Sequence, residues 1–337
     1  MASKNREAFH ESGLFYPNSV DSFNVDPRPP SANAHFSFAN ALVRLQPKDK
    51  RLLDAFLEQI KEELAAGNDV LISAESLFRH VIVDEGYLSI GQGTLKDRRL
   101  KWETERERFI ERLASFFDGL PVEIIMYLRR PDSFMQSMYS EVVVNSTNRQ
   151  HFGRFIQQYQ VRFDYNLSIK MFSKFWDLRL FNFEDAKSSL PFSFFSELGL
   201  PEPSRSTTQV TRASIPKAAV LWLCRTKNEK ELNARERSIR WLFALQKENA
   251  TLFRAKEDTT FWSNTSQRDA FLDVSGLRFE SIKFAPPSKL PETCNWEDHE
   301  HGEAERLFEA WSREKASWIA ERKANLVPAF VNSQAPC

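Results

Sequence analysis

Two stretches of the chain repeat the same order of amphipathic helix, glycine stop and short apolar run, and this repetition restricts the fold most. In "PKDKRLLDAFLEQIKEELAAGNDVLISAE" apolar residues recur at helical spacing from Leu53 to Leu64, Gly67 follows, and the apolar "VLIS" comes next. In "ETERERFIERLASFFDGLP" a second helical pattern ends at Gly119, and "VEIIMYL" follows. The sequence therefore predicts helices that alternate with buried strands.

A third apolar run, "LRLFNF" at 178–183, follows the helical "LSIKMFSKFW". Short unbroken strands between amphipathic helices are typical of a mostly parallel sheet with helices on both faces. Beyond Leu200 the apolar runs stop, and the chain reads as helical and charged. We predict an α/β domain over 1–210 and a helical C-terminal region over 211–337 that packs on it.

Composition limits the function without naming one. Lys plus Arg and Asp plus Glu both total 46, so no net charge recruits nucleic acid or a membrane surface. The three cysteines are far apart in the sequence, which argues against a disulfide framework or a thiolate metal cluster. With no apolar signal peptide and no membrane-length apolar stretch, we expect a cytoplasmic protein with no metal site.

The stretch "YLRRPDSFMQSMY" at 127–139 comes at the carboxyl end of the second predicted strand. In a parallel sheet this edge binds ligands, because the following helix presents free N–H groups there. Pro131 suits the first turn of such a helix, and Arg129 and Ser137 could converge on one anion. The alternative is that Arg129 and Arg130 are surface arginines at a strand end and that Ser137 is a small packing residue.

The spacing of Arg129, Pro131, Ser137 and Tyr139 resembles the segment with which sulfotransferases bind the 3′-phosphate of 3′-phosphoadenosine 5′-phosphosulfate. Other stretches, among them "NREAFHESGLFYP", "AHFSFANAL", "VLISAESLF" and "LRLFNFEDAKSSLPFSFFSELGLP", are also similar to a bacterial sulfotransferase-like family. Together they cover about the first two thirds of the chain. The resemblance implies a P-loop nucleotide-fold-like sheet and transfer of a sulfuryl group to a hydroxyl or amine.

The resemblance also implies a base that acts on the acceptor. Glu75, just past the predicted strand "VLIS", is the first candidate, and its alternative role is a helix cap or an ion-pair partner of a structural arginine. His35 is the second candidate because an imidazole titrates near neutral pH. A histidine beside phenylalanines is more often a packing residue.

The chain departs from the family at its beginning, where the glycine- and threonine-rich loop that cradles the 5′-phosphosulfate, with its lysine, is not found. Only "SIGQGTLK" at 89–96 has such a composition, and we interpret it as a flexible turn. We therefore expect the DNA upstream of Met1 to encode, in frame, the missing strand and loop. The chain as written should bind the donor weakly and transfer nothing.

Two further segments offer weaker patterns. "TRASIPK" at 211–217 resembles a family loop near the cofactor, so that Arg212 could contact the donor; Ser214 could equally cap a helix with Pro216 in its first turn. In "EDHEHGE" at 297–303 the histidines lie two residues apart, which does not place them on one helical face, and we predict a solvated acidic turn.

Two functions remain from the sequence. One is a sulfotransferase that uses 3′-phosphoadenosine 5′-phosphosulfate as co-substrate and a small molecule or a glycan as acceptor. The other is a degenerate, non-catalytic relative that binds a nucleotide or a glycan. The sequence pattern specifies neither the acceptor nor the oligomeric state.

Overall fold

A computed structural model describes residues 6–17, 35–82, 94–145, 150–190, 192–200, 215–229, 234–246, 249, 252–253, 260–261 and 298–314. These residues form a mixed α/β structure in which helices predominate and the strands make two small parallel sheets. The prediction of an α/β chain with parallel strands is confirmed at this level. No helix in the described ranges has the length and apolar character that crossing a membrane requires.

The chain packs into two compact units. Among the described residues, unit 1 takes those up to Leu128 together with 164–200, and unit 2 takes 129–163 and those from 215 onward. The units are defined by which residues pack together, whereas the predicted domains were defined from the sequence pattern. The predicted division at residue 210 therefore stays a prediction.

Unit 1 contains all four described strands and eight helices. The strands are β1 (Leu14–Phe15), β2 (Asp69–Val70), β3 (Glu123–Leu128) and β4 (Asp177–Asn182). The helices are α1 (Arg6–Glu11), α2 (Phe36–Arg44), α3 (Pro47–Ala65), α4 (Glu75–Arg79), α5 (Leu95–Phe116), α8 (Tyr165–Phe172), α9 (Phe183–Ala186) and α10 (Phe192–Glu197), numbered in chain order with α6 and α7 of unit 2.

The described secondary-structure elements of unit 2 are all helical. It contains α6 (Pro131–Asn145), α7 (Phe152–Tyr159), a 3₁₀ turn (Gln160–Phe163), α11 (Lys217–Glu229), α12 (Ala234–Leu245) and α13 (Asp298–Glu314). The predicted acidic turn at 297–303 is wrong, because α13 begins at Asp298.

The strands pair in parallel and in chain order. β1 pairs with β2, with Leu14 opposite Asp69. β3 pairs with β4 along six residues, from Glu123 opposite Asp177 to Leu128 opposite Asn182. β3 and β4 each begin and end within one residue of their predicted bounds. A short apolar run between two helices leaves few alternatives for where a strand begins and ends.

The predicted strand "VLIS" is shorter than expected, since β2 ends at Val70. The N–H of Leu71 still donates to the carbonyl of Phe15 at 2.9 Å. Two residues later, the backbone N–H and C=O of Ser73 both bond to His35 instead of to a strand. Contacts with this histidine therefore end the ladder early.

Glycine follows the helices that precede β2 and β3, as predicted. Gly67 after α3 has a φ of +87° and Gly119 after α5 has a φ of +74°. Side chains with a Cβ rarely adopt this left-handed conformation, so the glycines reverse the chain at little cost. Each reversal delivers the chain to the strand that follows.

Each unit has its own apolar core. In unit 1 the ring of Phe38 lies 5.1 Å from those of Phe56 and Phe116, and all of the Phe38 side chain is buried. In unit 2 the buried Trp222 packs against aromatic rings of three other segments, namely Phe243, Phe253 and Phe308. Burial of such rings is the main source of stability in each unit.

Candidate anion-binding site

His35 is a buried residue of unit 1 whose two ring nitrogens both have partners. The backbone N–H of Ser73 lies 3.0 Å from Nδ1, and Nε2 lies 3.0 Å from the carbonyl oxygen of Pro17. These contacts fit a neutral imidazole that accepts at Nδ1 and donates at Nε2. Its ring also meets Tyr16 edge-on at 4.7 Å. The geometry favours a packing role, and the proposal of a base at His35 stays a prediction.

Glu75 is accessible, in contrast to His35. It opens α4 five residues after β2 ends, and 60% of its side chain is exposed. One carboxylate oxygen lies 3.4 Å from Nη2 of Arg79, one helical turn away. An exposed pair of this kind holds the carboxylate weakly, so the Glu75 carboxylate stays accessible to solvent. Its role as a base stays a prediction.

Arg106 supports the short helix that carries Glu75. Its side chain is fully buried, and Nη1 donates to the carbonyl oxygens of Leu77 at 2.9 Å and His80 at 2.5 Å. Its guanidinium also lies 5.1 Å from the centre of the Phe172 ring. Carbonyls at a helix C-terminus have no partners within the helix, and a cation there interacts favourably with the dipole. Arg106 therefore fixes the end of α4.

An open cavity of about 560 Å³ lies along α5 in unit 1. Its described lining consists of Ile82, Arg108, Glu111, Arg112 and Ser115. Arg112 donates from Nη1 to the carbonyl oxygens of Leu42 and Val43, which ties it to the end of α2, and burial lowers its pKa. Arg112 therefore has a structural role at the end of α2.

The stretch "RRPDSFMQSMY" begins unit 2 and folds as the first part of α6. Pro131 is the first residue of this helix, as predicted, and Arg129 comes directly after β3 in sequence. Arg129 is partly buried and Ser137 is exposed. The structure thus places Arg129 at the carboxyl end of a parallel strand and leaves the Ser137 hydroxyl accessible; their binding roles stay predictions.

Tyr139, the last residue of the spacing pattern, has a structural role. Its side chain is buried, and its hydroxyl donates to the carbonyl oxygen of Gln150 at 3.1 Å and lies 3.6 Å from Sγ of Cys224. Burial, followed by the nearby Cys224, raises its pKa. Ser137 and Tyr139 lie on different faces of α6, because two residues rotate the helix by about 200°. One face of α6 anchors the helix while another stays accessible.

Asp132, which the sequence reasoning missed, is the buried centre of a charged cluster. Its side chain is 1% exposed, and Oδ1 accepts a hydrogen bond of 2.5 Å from Nε of Arg130. In the described part of the chain, Oδ2 is buried and has no hydrogen-bond partner. As the second residue of α6, Asp132 is favoured by the helix dipole. It holds Arg130 against the start of the helix.

Lys217, the first residue of α11, completes the cluster. Helices α6 and α11 pack against each other, and Met135, Met138 and Ala218 share one apolar core. Burial lowers the pKa of Lys217, and the charge of Asp132 offsets part of that change. The structure therefore brings together the start of α6 and the end of "TRASIPK". In the sequence, Lys217 can be recognised only as a single cation that directly precedes the apolar run "AAVLWLC".

The remaining predicted positions are only partly described. Arg212 and Ser214 lie outside the described residues, and α11 begins at Lys217 with the carbonyl of Pro216 accepting from the N–H of Val220. Most of "SIGQGTLK" also lies outside them, but Thr94 caps α5, with Oγ1 accepting from the N–H of Asp97 at 3.2 Å. Glu75 and His35 belong to unit 1, and Arg129 and Ser137 to unit 2.

Comparison of the chain with models of protein families, with curated proteins and with solved structures found no match.

Proposed function

We propose that this chain is a sulfotransferase-like protein that binds 3′-phosphoadenosine 5′-phosphosulfate through the start of unit 2, and that an active form of it transfers the sulfuryl group to a hydroxyl or amine. The observation that carries the proposal is the position of Arg129, which follows a parallel strand and precedes the N-terminus of α6. Guanidinium groups bind phosphate oxygens bidentately, and a helix N-terminus favours an anion. Ser137 is proposed as a further donor, and Arg212 as a third ligand.

The strand pairing supports the finer fold proposal, a P-loop nucleotide-fold-like sheet. β1 pairs with β2 and β3 with β4, and among the described residues each of these four strands has one edge without a strand neighbour. A sheet of the proposed kind has a central strand flanked by two such parallel pairs. The proposal includes a fifth strand in that place, because unpaired strand edges are costly when buried.

Glu75 is proposed as the base that takes the acceptor proton. Sulfuryl transfer resembles phosphoryl transfer, in which positioning and charge stabilisation supply most of the rate. An exposed carboxylate at the start of α4, on a helix whose other end Arg106 holds, is suited to this role. A small molecule or a glycan is proposed as the acceptor.

The test is the binding of adenosine 3′,5′-bisphosphate, measured by titration calorimetry on the parent chain. Arg129→Ala should weaken binding by about 2 kcal/mol or more, which is the scale of a lost charge-assisted pair. Arg154→Ala, which removes an exposed arginine from α7, is the matched control and should leave binding unchanged. Absence of binding by a well-folded parent, or equal affinity of parent and Arg129→Ala, would overturn the proposal.

A second candidate function is binding without transfer. The observation that favours it is the role of Thr94, which caps the helix α5. This residue belongs to "SIGQGTLK", the one segment of the sequence whose composition resembles that of a phosphate loop. Release of labelled sulfate ester from a labelled donor separates the two functions. Binding of the bisphosphate without any sulfuryl transfer would support the second.

A further inference from the structure

We infer that the open cavity along α5 is a second binding site, and that it takes a small zwitterion, a free amino acid with an apolar side chain. Its volume of about 560 Å³ lies in the range of sites that bind small molecules. The described lining of this cavity belongs to unit 1, whereas Arg129 and Ser137 belong to unit 2. The cavity therefore does not depend on the proposed function.

The guanidinium of Arg112 is fixed through one nitrogen and leaves an edge available. Nη1 donates to the carbonyl oxygens of Leu42 at 2.7 Å and Val43 at 3.0 Å. Nε and Nη2 form no hydrogen bond with the described residues, and neither of them is a buried atom without a partner. The hydrogens of Nε and Nη2 lie along one edge of the guanidinium, and this edge can bind both oxygens of a carboxylate. Arg108 also lines the cavity but already interacts with another residue, so Arg112 is the cation that we assign to the ligand.

Glu111 presents a negative charge to the same cavity. It is exposed, and its carboxylate forms no ion pair or hydrogen bond with the described residues. Consecutive residues of a helix diverge by about 100° around its axis, so Glu111 and Arg112 do not pair with each other. A ligand with two opposite charges can bridge them, whereas a simple anion would bring a second negative charge close to Glu111. The two side chains together favour a zwitterion over an anion.

Ser115 and Ile82 supply a hydroxyl oxygen and an apolar wall. Oγ of Ser115 donates to the backbone carbonyl of Glu111 at 2.9 Å, so its lone pairs can accept a hydrogen bond from an ammonium group. Ile82 is buried, and its N–H donates to the carbonyl oxygen of Glu105 at 3.1 Å. The cavity therefore combines partners for an ammonium group and a carboxylate with one surface for an apolar side chain.

The walls of the cavity are held in place by other contacts. Arg106 of α5 donates to the carbonyl oxygen of His80, two residues before Ile82. Arg112 ties the last part of α2 to α5, and these two helices pack against each other. Walls that are already ordered reduce the conformational entropy lost on binding. Burial lowers the pKa of Arg112, and a ligand carboxylate would offset this cost of desolvation.

The experiment is titration of the parent chain with L-leucine, followed by ligand-observed NMR, which detects weak binding. Two ligands of similar shape are the comparison: isocaproate lacks the ammonium group, and isoamylamine lacks the carboxylate. We expect the parent to bind leucine about tenfold or more tightly than either of them, because each comparison ligand lacks a hydrogen bond to a charged side chain. The hydroxy acid analogue of leucine should also bind more weakly than leucine.

Variants assign the two charges of the ligand to their partners. Glu111→Gln should remove most of the preference for leucine over isocaproate while it leaves isocaproate binding unchanged. Arg112→Lys should weaken the binding of both carboxylates by about tenfold, because lysine lacks the bidentate edge. Glu62→Gln removes an exposed carboxylate of α3 outside the described lining, and this control should bind like the parent. Thermal unfolding shows whether each variant is folded.

Three results would overturn the zwitterion site. They are no binding of leucine by the folded parent, equal affinity of the parent for leucine and isocaproate, and an unchanged preference in Glu111→Gln. Tighter binding of the hydroxy acid than of leucine would replace the ammonium group by a hydroxyl and would also contradict the proposal. If Arg112→Lys does not fold, Glu111→Gln and Ser115→Ala decide the outcome, and Ser115→Ala should weaken leucine binding. Adenosine 3′,5′-bisphosphate takes no part in these titrations, so the proposed function is tested separately.

Discussion

The Nε atom of Arg130 donates a 2.5 Å hydrogen bond to Oδ1 of Asp132, whose carboxylate is almost completely buried two residues further along the chain. A buried carboxylate requires a cation or several donors, because its desolvation is costly. Arg130 supplies one donor, and Lys217 lies near enough to interact electrostatically. Five predictions test this arrangement, the structural role of His35, and Glu75 with the arginine that supports its helix.

Lys217→Met should increase the free energy of unfolding at pH 7. Burial lowers the pKa of this lysine from its ordinary value of 10.5, so the unfolded chain binds more protons between the two pKa values. The parent therefore gains stability as pH rises through that window, and the advantage of the variant should shrink. Urea unfolding at pH 7 and at pH 10.5 measures this change. If the stability advantage of Lys217→Met over the parent increased with pH, the pKa of Lys217 would not be lowered in the folded protein.

Asp132→Asn should lower the pKa of Lys217 further, since the Asp132 carboxylate favours the protonated lysine. Reductive ¹³C-methylation and titration by NMR measure the lysine pKa, and the signal lost in Lys217→Met identifies the resonance. An unchanged or raised pKa in Asp132→Asn would show that the carboxylate does not act on Lys217.

His35→Asn should destabilise the fold by about 2 kcal/mol, because two buried hydrogen bonds and an aromatic contact are lost. Chemical unfolding of parent and variant measures this loss. An effect within about 0.5 kcal/mol would argue against the structural role of His35.

Glu75→Gln should leave stability nearly unchanged, because the side chain is exposed and makes one weak ion pair. In an active form of the protein it should reduce turnover by about a hundredfold, with donor affinity preserved, since a base acts in the transition state. Steady-state kinetics with parent, Glu75→Gln and His35→Asn compares the two candidates. A turnover defect in His35→Asn alone would reverse their order.

The last prediction concerns Arg106→Met. This change should destabilise unit 1 by about 3 kcal/mol, because the carbonyls of Leu77 and His80 lose buried charged donors. Arg99→Met on the same helix removes a half-exposed arginine that pairs with Glu103 and Asp164, and it should cost less than about 1 kcal/mol. Equal losses in the two variants would show that Arg106 does not support α4 in the way described.

The sequence by itself determined where the main elements lie. Apolar periodicity and a glycine stop located α3 and the strands β3 and β4 to within a residue or two, and Pro131 marked the start of α6. These features depend on local physics, because helical spacing, left-handed glycine and a proline in the first turn act within a few residues. Glu75 and Arg129 were proposed as site residues on the same local grounds, as charged residues that follow apolar runs, and their roles stay predictions.

Only the tertiary structure decided which distant residues meet. The pairing of His35 with Ser73 and Pro17, the ending of β2 at Val70, and the approach of Lys217 to Asp132 all join segments far apart in the chain. Whether a charged side chain is exposed or buried depends on the packing of whole helices, and α6 buries Asp132 while it leaves Ser137 accessible. The packing of α6 on α11 therefore brings Arg130 and Lys217 into one cluster with Asp132. Local sequence does not specify the distance between the starts of two helices.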